Sequence, residues 1–133
     1  MAEIKGIHHV GVASPDGEKM VEFFTENLGA EFVKKEVFPE QNQTSYNVKV
    51  GECELEIMEP LGEKGAAAGF IAKKGPGLHH ISIQVTGIVE LAEELEAKGI
   101  KVIGKQFEDP SVYYMFISPK STGGVLIELF ERF

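Results

Sequence analysis

Four residues in this chain combine ligand chemistry with regular spacing: His9, Glu56, His80 and Glu128. The histidines are 80 − 9 = 71 residues apart and the glutamates 128 − 56 = 72 apart. Each histidine closes the same kind of stretch, Gly6-Ile7-His8-His9 and Gly77-Leu78-His79-His80. Each glutamate is set between aliphatic residues, Leu55-Glu56-Ile57 and Ile127-Glu128-Leu129. Imidazole nitrogens with carboxylate oxygens suit a divalent ion of intermediate hardness that keeps positions open for water or substrate. Two carboxylates buried without partners would be costly, so a metal or an equally strong partner must compensate them. A single strand histidine is ordinarily a hydrogen-bonded core or surface residue, and His8 and His79 read that way. The set of four reads differently, because one coincidence would have to happen twice in register. A symmetric cleft without a metal is the other arrangement the spacing allows.

The elements that must position these residues are themselves duplicated. Alternation predicts a strand over Ile4–Ala13, and Ser14-Pro15-Asp16-Gly17 turns it into an amphipathic helix over Lys19–Gly29, capped by Ser14 or Asp16. Strands follow over Glu31–Phe38, Tyr46–Val50 and Cys53–Met58, with Glu40–Ser45 as a loop or irregular edge and Gly51-Glu52 as a hairpin turn. Residues 63–74 carry a short helical pattern, and Gly75-Pro76-Gly77 marks the joint. The second half repeats the order: a strand over Leu78–Val85, a helix over Ile88–Lys98, strands over Ile100–Ile103, Val112–Ile117 and Val125–Phe130, and a long turn at 118–124. The expected class is α+β: two tandem βαβββ modules, 4–60 and 78–131, joined by a linker over 61–77. They would form a curved mixed sheet around a metal-centred cleft. The four ligand-type residues then share the inner face, and Val10, Val12, Leu55, Ile57, Ile81, Ile83, Ile127 and Leu129 meet the helices.

At 133 residues the chain reads as one domain, since halves of this size would each be marginal alone. A net charge of −8 argues against nucleic acid or an anionic membrane as partner. Cys53 stands alone, so no internal disulfide framework exists; it falls on the Leu55 face as a core thiol. No signal-like segment and no 18-residue apolar run is present, which leads us to expect a cytoplasmic protein. Lys73 and Lys74 read as a solvated face or as a phosphate contact. Ser121-Thr122-Gly123-Gly124 lacks the order of a P-loop.

The chain resembles the vicinal-oxygen-chelate superfamily and, within it, the methylmalonyl-CoA epimerases. The resemblance is carried by Ile7–Ala13, Phe38-Pro39-Glu40-Gln41, Leu55–Leu61, Lys74–Ile81 and Ser118–Leu129. It implies a divalent metal held by His9, Glu56, His80 and Glu128, cobalt first, with nickel, manganese, zinc and magnesium open on ligand type. It also implies a base at Glu40, with Glu128 as both ligand and second base. The implied reaction is epimerisation at C2 of methylmalonyl-CoA, by proton abstraction and return through a metal-stabilised enediolate. An acyl-CoA substrate makes Lys73, Lys74 and Lys120 candidate phosphate contacts, and small proteins of this fold commonly form homodimers.

The chain departs from these epimerases in two places. Phe107-Glu108-Asp109-Pro110-Ser111-Val112-Tyr113-Tyr114 stands where they usually carry a Gly-Ala-His-Gly-like run, and Asn42 replaces a glycine. Two other readings fit the same four ligands: a glyoxalase-type isomerase or lyase, and a non-catalytic small-molecule-binding or resistance protein. Neither requires Glu40.

Overall fold

The computed structural model describes residues 2–133, and among them are eight strands and four α-helices. In chain order these are β1 (Glu3–Ala13), α1 (Gly17–Glu22), β2 (Glu31–Phe38), β3 (Gln43–Val50), β4 (Cys53–Pro60), α2 (Ala66–Lys74), β5 (Gly77–Thr86), α3 (Ile88–Ala97), β6 (Val102–Gln106), β7 (Val112–Ile117), α4 (Pro119–Thr122) and β8 (Ile127–Arg132). The class is α+β, and the βαβββ order occurs twice, as the repeat predicts. The chain divides into two compact units: His9–His79, and His80–Phe133 with the N-terminal residues through His8. The division passes between the two histidines of β1.

In the unit His9–His79 the strand order is β2-β3-β4-β1, with β1 parallel to β4 and the other pairs antiparallel. In the other unit the order is β5-β8-β7-β6, with β5 parallel to β8 and the remaining pairs antiparallel. A parallel pair needs a long crossover, and in each unit two strands and at least one helix separate its members in sequence. The parallel pair matters for the site because β1 and β5 carry the histidines while β4 and β8 carry the glutamates.

Alternation then decides which face each residue takes. Ile57, next to Glu56, is fully buried with Tyr46 and Val48 beneath Met20, Val21 and Phe24 of the first helical segment. Leu129, next to Glu128, is buried with Val85 and Met115 beneath Ile88 and Ala92 of α3. Each glutamate therefore lies on the face opposite its helix, as the pattern predicts.

Several boundaries differ from the sequence expectation. The first helix stops at Glu22 and continues as a π-helical turn, Phe23–Asn27, closed by a bond from the Ala30 N–H to the Phe24 carbonyl. Asp16, not Ser14, provides its cap by accepting from the Lys19 N–H. β3 begins at Gln43 rather than Tyr46, and its polar residues Gln43, Thr44 and Ser45 are all buried. Pairing with β4 outweighs their weak strand preference. β6 runs later than expected, and β8 starts at Ile127 rather than Val125. The turn at 118–124 holds the short α4, capped by Ser118. Cys53 is half-buried. No described helix is long and apolar enough to cross a membrane.

Candidate active site

In the unit His9–His79, β1 and β4 run side by side with Gly11 paired to Glu56. His9 lies two residues earlier on the same face, and its Nε2 stands 3.6 Å from Glu56 Oε1. The second oxygen of Glu56 accepts a 3.1 Å hydrogen bond from Ser45 Oγ, and Ser45 Oγ accepts one of 3.0 Å from Gln43 Nε2. Ser45 and Gln43 are buried, so this chain of donors fixes one Glu56 oxygen and leaves the other toward His9. Carboxylates oriented in this way serve as metal ligands.

The same polar chain leads from Glu56 toward the turn that carries Glu40. Pro39–Gln41 form one 3-10 turn, ended by Asn42 in the left-handed region at φ 55°. The Asn42 N–H donates to the Pro39 carbonyl at 3.1 Å, and the Asn42 carbonyl accepts from the Leu61 N–H at 2.9 Å. Glu40 is exposed on this latched turn, where a carboxylate is free to meet a ligand.

In the other unit, Ser82 of β5 pairs with Glu128 of β8, and His80 precedes it on the same face. His80 and Ser82 are buried. Ser82 Oγ donates to Glu128 Oε1 at 2.6 Å. Burial pushes the Glu128 carboxyl above its ordinary value, and the Ser82 bond opposes that shift. A half-buried carboxylate of raised basicity can take up a proton or serve as a ligand.

The structure adds two anchoring carboxylates that the sequence reading passed over. Glu59 Oε1 accepts a 2.7 Å bond from the Gly17 N–H at the start of α1. Glu131 accepts from the Gly87 and Ile88 N–H groups at the start of α3, both at 3.0 Å. Each lies three residues beyond a candidate ligand, in Glu56-Ile57-Met58-Glu59 and Glu128-Leu129-Phe130-Glu131. That doubled Glu-x-x-Glu pattern was the available signal. Ser82 was visible on the His80 face by alternation, whereas nothing local marked Gln43 and Ser45.

Of the candidate phosphate contacts, Lys73 and Lys74 form the last turn of α2 and Lys120 lies in α4; all three are exposed. The Lys74 ammonium stands over the Phe70 ring at 5.7 Å.

Comparison with known proteins decides the family. Residues 8–116 match the model of the glyoxalase/bleomycin resistance protein/dioxygenase superfamily. Human mitochondrial methylmalonyl-CoA epimerase is 34% identical over 126 residues, covering 92% of this chain and 72% of that protein. This chain belongs to the methylmalonyl-CoA epimerase family of that superfamily. The ethylmalonyl-CoA/methylmalonyl-CoA epimerase of Cereibacter sphaeroides is 30% identical over 127 residues, covering 92% of this chain and 95% of its own. A variant of the Streptomyces coelicolor methylmalonyl-CoA epimerase, solved with 2-nitronate-propionyl-CoA, superposes with a TM-score of 0.86 at 29% identity. That likeness covers 98% of this chain and 99% of the other.

The donor set of this family member fits a divalent ion. His9 and Glu56 of one unit and His80 of the other each offer one ligand atom, and imidazole nitrogens with a carboxylate oxygen suit such an ion.

Proposed function

We propose that this protein epimerises methylmalonyl-CoA at C2, with His9, Glu56, His80 and Glu128 holding one divalent metal ion. The carrying observation is Glu128: a half-buried carboxylate, raised in basicity by desolvation and steadied by Ser82 at 2.6 Å. Similarity to named epimerases across most of the chain supports the substrate class. The bound ion would act as a Lewis acid, lowering the cost of the negative charge that develops on the substrate oxygens.

The C2 proton lies between a carboxylate and a thioester carbonyl, so its removal leaves an electron pair delocalised onto the carbonyl oxygen. Inversion needs one base on each face of C2. Glu128 serves one face and Glu40 the other: one takes the proton, and the other returns one, with no net change in oxidation. The exposed turn at Glu40 suits a group that meets substrate on arrival. Lys73, Lys74 and Lys120 are the proposed contacts to the CoA phosphates.

Cobalt is the proposed metal, with nickel, manganese, zinc and magnesium as the alternatives to titrate. A homodimer is the proposed assembly, with Ile4 at 73% and Ile7 at 49% exposure on β1 as apolar surface to cover. We place the protein in the cytoplasm, as one domain made of the modules 4–60 and 78–131; the lone Cys53 suits a reducing compartment.

The test is deuterium wash-in at C2. Metal-reconstituted protein is incubated with one epimer of methylmalonyl-CoA in heavy water, beside a Glu40→Gln variant. Metal-dependent exchange with inversion, lost in the variant, is the expected result. Tight metal binding without exchange would sink the substrate assignment. Inversion at an undiminished rate in the variant would remove Glu40 from the mechanism.

A further inference from the structure

We infer that Phe116 and Ile103 form the wall against which the C2 substituent of the substrate packs, and so set the size of alkyl group accepted. This rests on Glu128 acting at the C2 proton.

The register of one unit carries the argument. Ser82 pairs with Glu128, Glu128 with Phe116, and Phe116 with Ile103, so the four stand in one row across β5, β8, β7 and β6. Neighbouring strands lie about 4.8 Å apart, and paired residues point to the same face. The phenyl ring of Phe116 therefore stands beside the Glu128 carboxylate, with Ile103 beyond it. Tyr113, Met115 and Ile117 take the opposite face of β7 and pack into the core beneath α3. Phe116 is only half-buried and Ile103 is 38% exposed, so apolar surface is left uncovered on the glutamate face.

That wall is held in place from two sides. Gly104, at φ +61°, passes so close that an added Cβ would lie 3.1 Å from Phe116 Cδ2, so the ring rests against bare backbone. The Tyr114 ring meets Phe116 edge-on at 6.1 Å from the next row.

The corresponding row of the other unit has a different character. There Gly11 pairs with Glu56, Glu56 with Asn47, and Asn47 with Lys34. Asn47 Nδ2 donates to Glu54 at 3.1 Å, so the strand neighbour of Glu56 is polar and engaged. Of the two glutamate rows, the Glu128 row alone offers an apolar neighbour. The alkyl substituent is one bond from the carbon whose proton Glu128 handles, which brings it within van der Waals reach of the next strand on that face. A short aliphatic group is the ligand chemistry that fits.

The test compares wild type with Ile103→Ala, Phe116→Leu and Ile103→Phe. Two readouts are taken for each folded variant: kcat/KM for ethylmalonyl-CoA relative to methylmalonyl-CoA, and the calorimetric Kd ratio of the non-epimerisable 2-ethyl-2-methyl- and 2,2-dimethylmalonyl-CoA. One methylene in an apolar pocket is worth about 10-fold or more in discrimination. In Ile103→Ala and Phe116→Leu the kcat/KM ratio should rise and the Kd ratio fall, each by about that factor, and both should move the other way in Ile103→Phe. Ile103 lies at the surface, so its two variants keep the test alive even where Phe116→Leu does not fold. Ratios within about two-fold of wild type throughout, from an active wild type, would overturn this inference alone. A wild type inert toward both thioesters would overturn it together with the epimerase reading.

Discussion

The Ser82 hydroxyl donates a 2.6 Å hydrogen bond to Glu128 Oε1 from the directly paired position on β5. Ser45 does the corresponding work for Glu56 at 3.1 Å, from β3. The two candidate ligand carboxylates are thus each oriented by a buried serine, reached from different strands. Outer partners of this kind typically change metal affinity about 10–100-fold when removed. Ser82→Ala should weaken divalent-metal binding by about that factor, with Ser82→Thr restoring most of it. Calorimetric metal titration of the three proteins checks this, and equal affinities would reduce Ser82 to a packing role.

Glu131 ties β8 to α3 by accepting two N–H groups at the helix start, which leave no intrahelical partner of their own. The carboxylate also sits at the positive end of the helix dipole. Glu131→Ala should cost about 1–2 kcal/mol of stability, in the range of lost helix caps. Glu59→Ala should cost a similar amount through Gly17, about 1 kcal/mol. Thermal and urea unfolding of both variants measure it. No change in midpoint would mean that water replaces the carboxylate without loss.

The doubled arrangement of His9, Glu56, His80 and Glu128 was legible because strand alternation and sequence offset are both one-dimensional. Ile57 and Leu129 fill the cores beneath the helices, and that alone turns the neighbouring glutamates the other way. The start of β3 was not legible. Gln43-Thr44-Ser45 reads as loop by polarity, yet the segment is buried because pairing with β4 and the bond to Glu56 satisfy its polar groups. Glu40 was likewise beyond periodicity, since a single turn has no repeat to reveal it and only the family resemblance pointed there. The Phe116–Ile103 row depended on strand register, and a shift in β6 between Ile103 and Gln106 hid its alignment.

His79 predicts a pH dependence of stability. Its ring packs edge-on against Phe70 at 5.1 Å. Burial first, and then the Lys74 charge, holds its pKa below the ordinary 6.5. Below 6.5 the unfolded chain takes up this proton before the folded one does, so stability from this group falls as pH drops. His79→Gln should remove that component. Urea midpoints of metal-free protein at about pH 7.5 and about pH 5.5 should separate more for wild type than for the variant. Equal separations would show that His79 titrates alike in both states.

Metal addition should act on stability with the opposite pH sense to a proton. In metal-free protein the folded pKa of Glu128 is raised by burial, so the folded state binds this proton more tightly than the unfolded chain. Stability from this group is therefore present at low pH and lost as pH rises through that folded pKa. A divalent ion needs the same carboxylate, and the imidazoles of His9 and His80, in their deprotonated forms, so protons compete with it. Saturating cobalt should raise the melting temperature more at about pH 7.5 than at about pH 5.5, and a chelator should reverse the gain. Glu128→Gln should shrink the gain at the higher pH, because its amide is a weaker ligand and carries no charge to offset. A cobalt effect equal at both pH values, or unchanged in Glu128→Gln, would place the ion elsewhere than on Glu128.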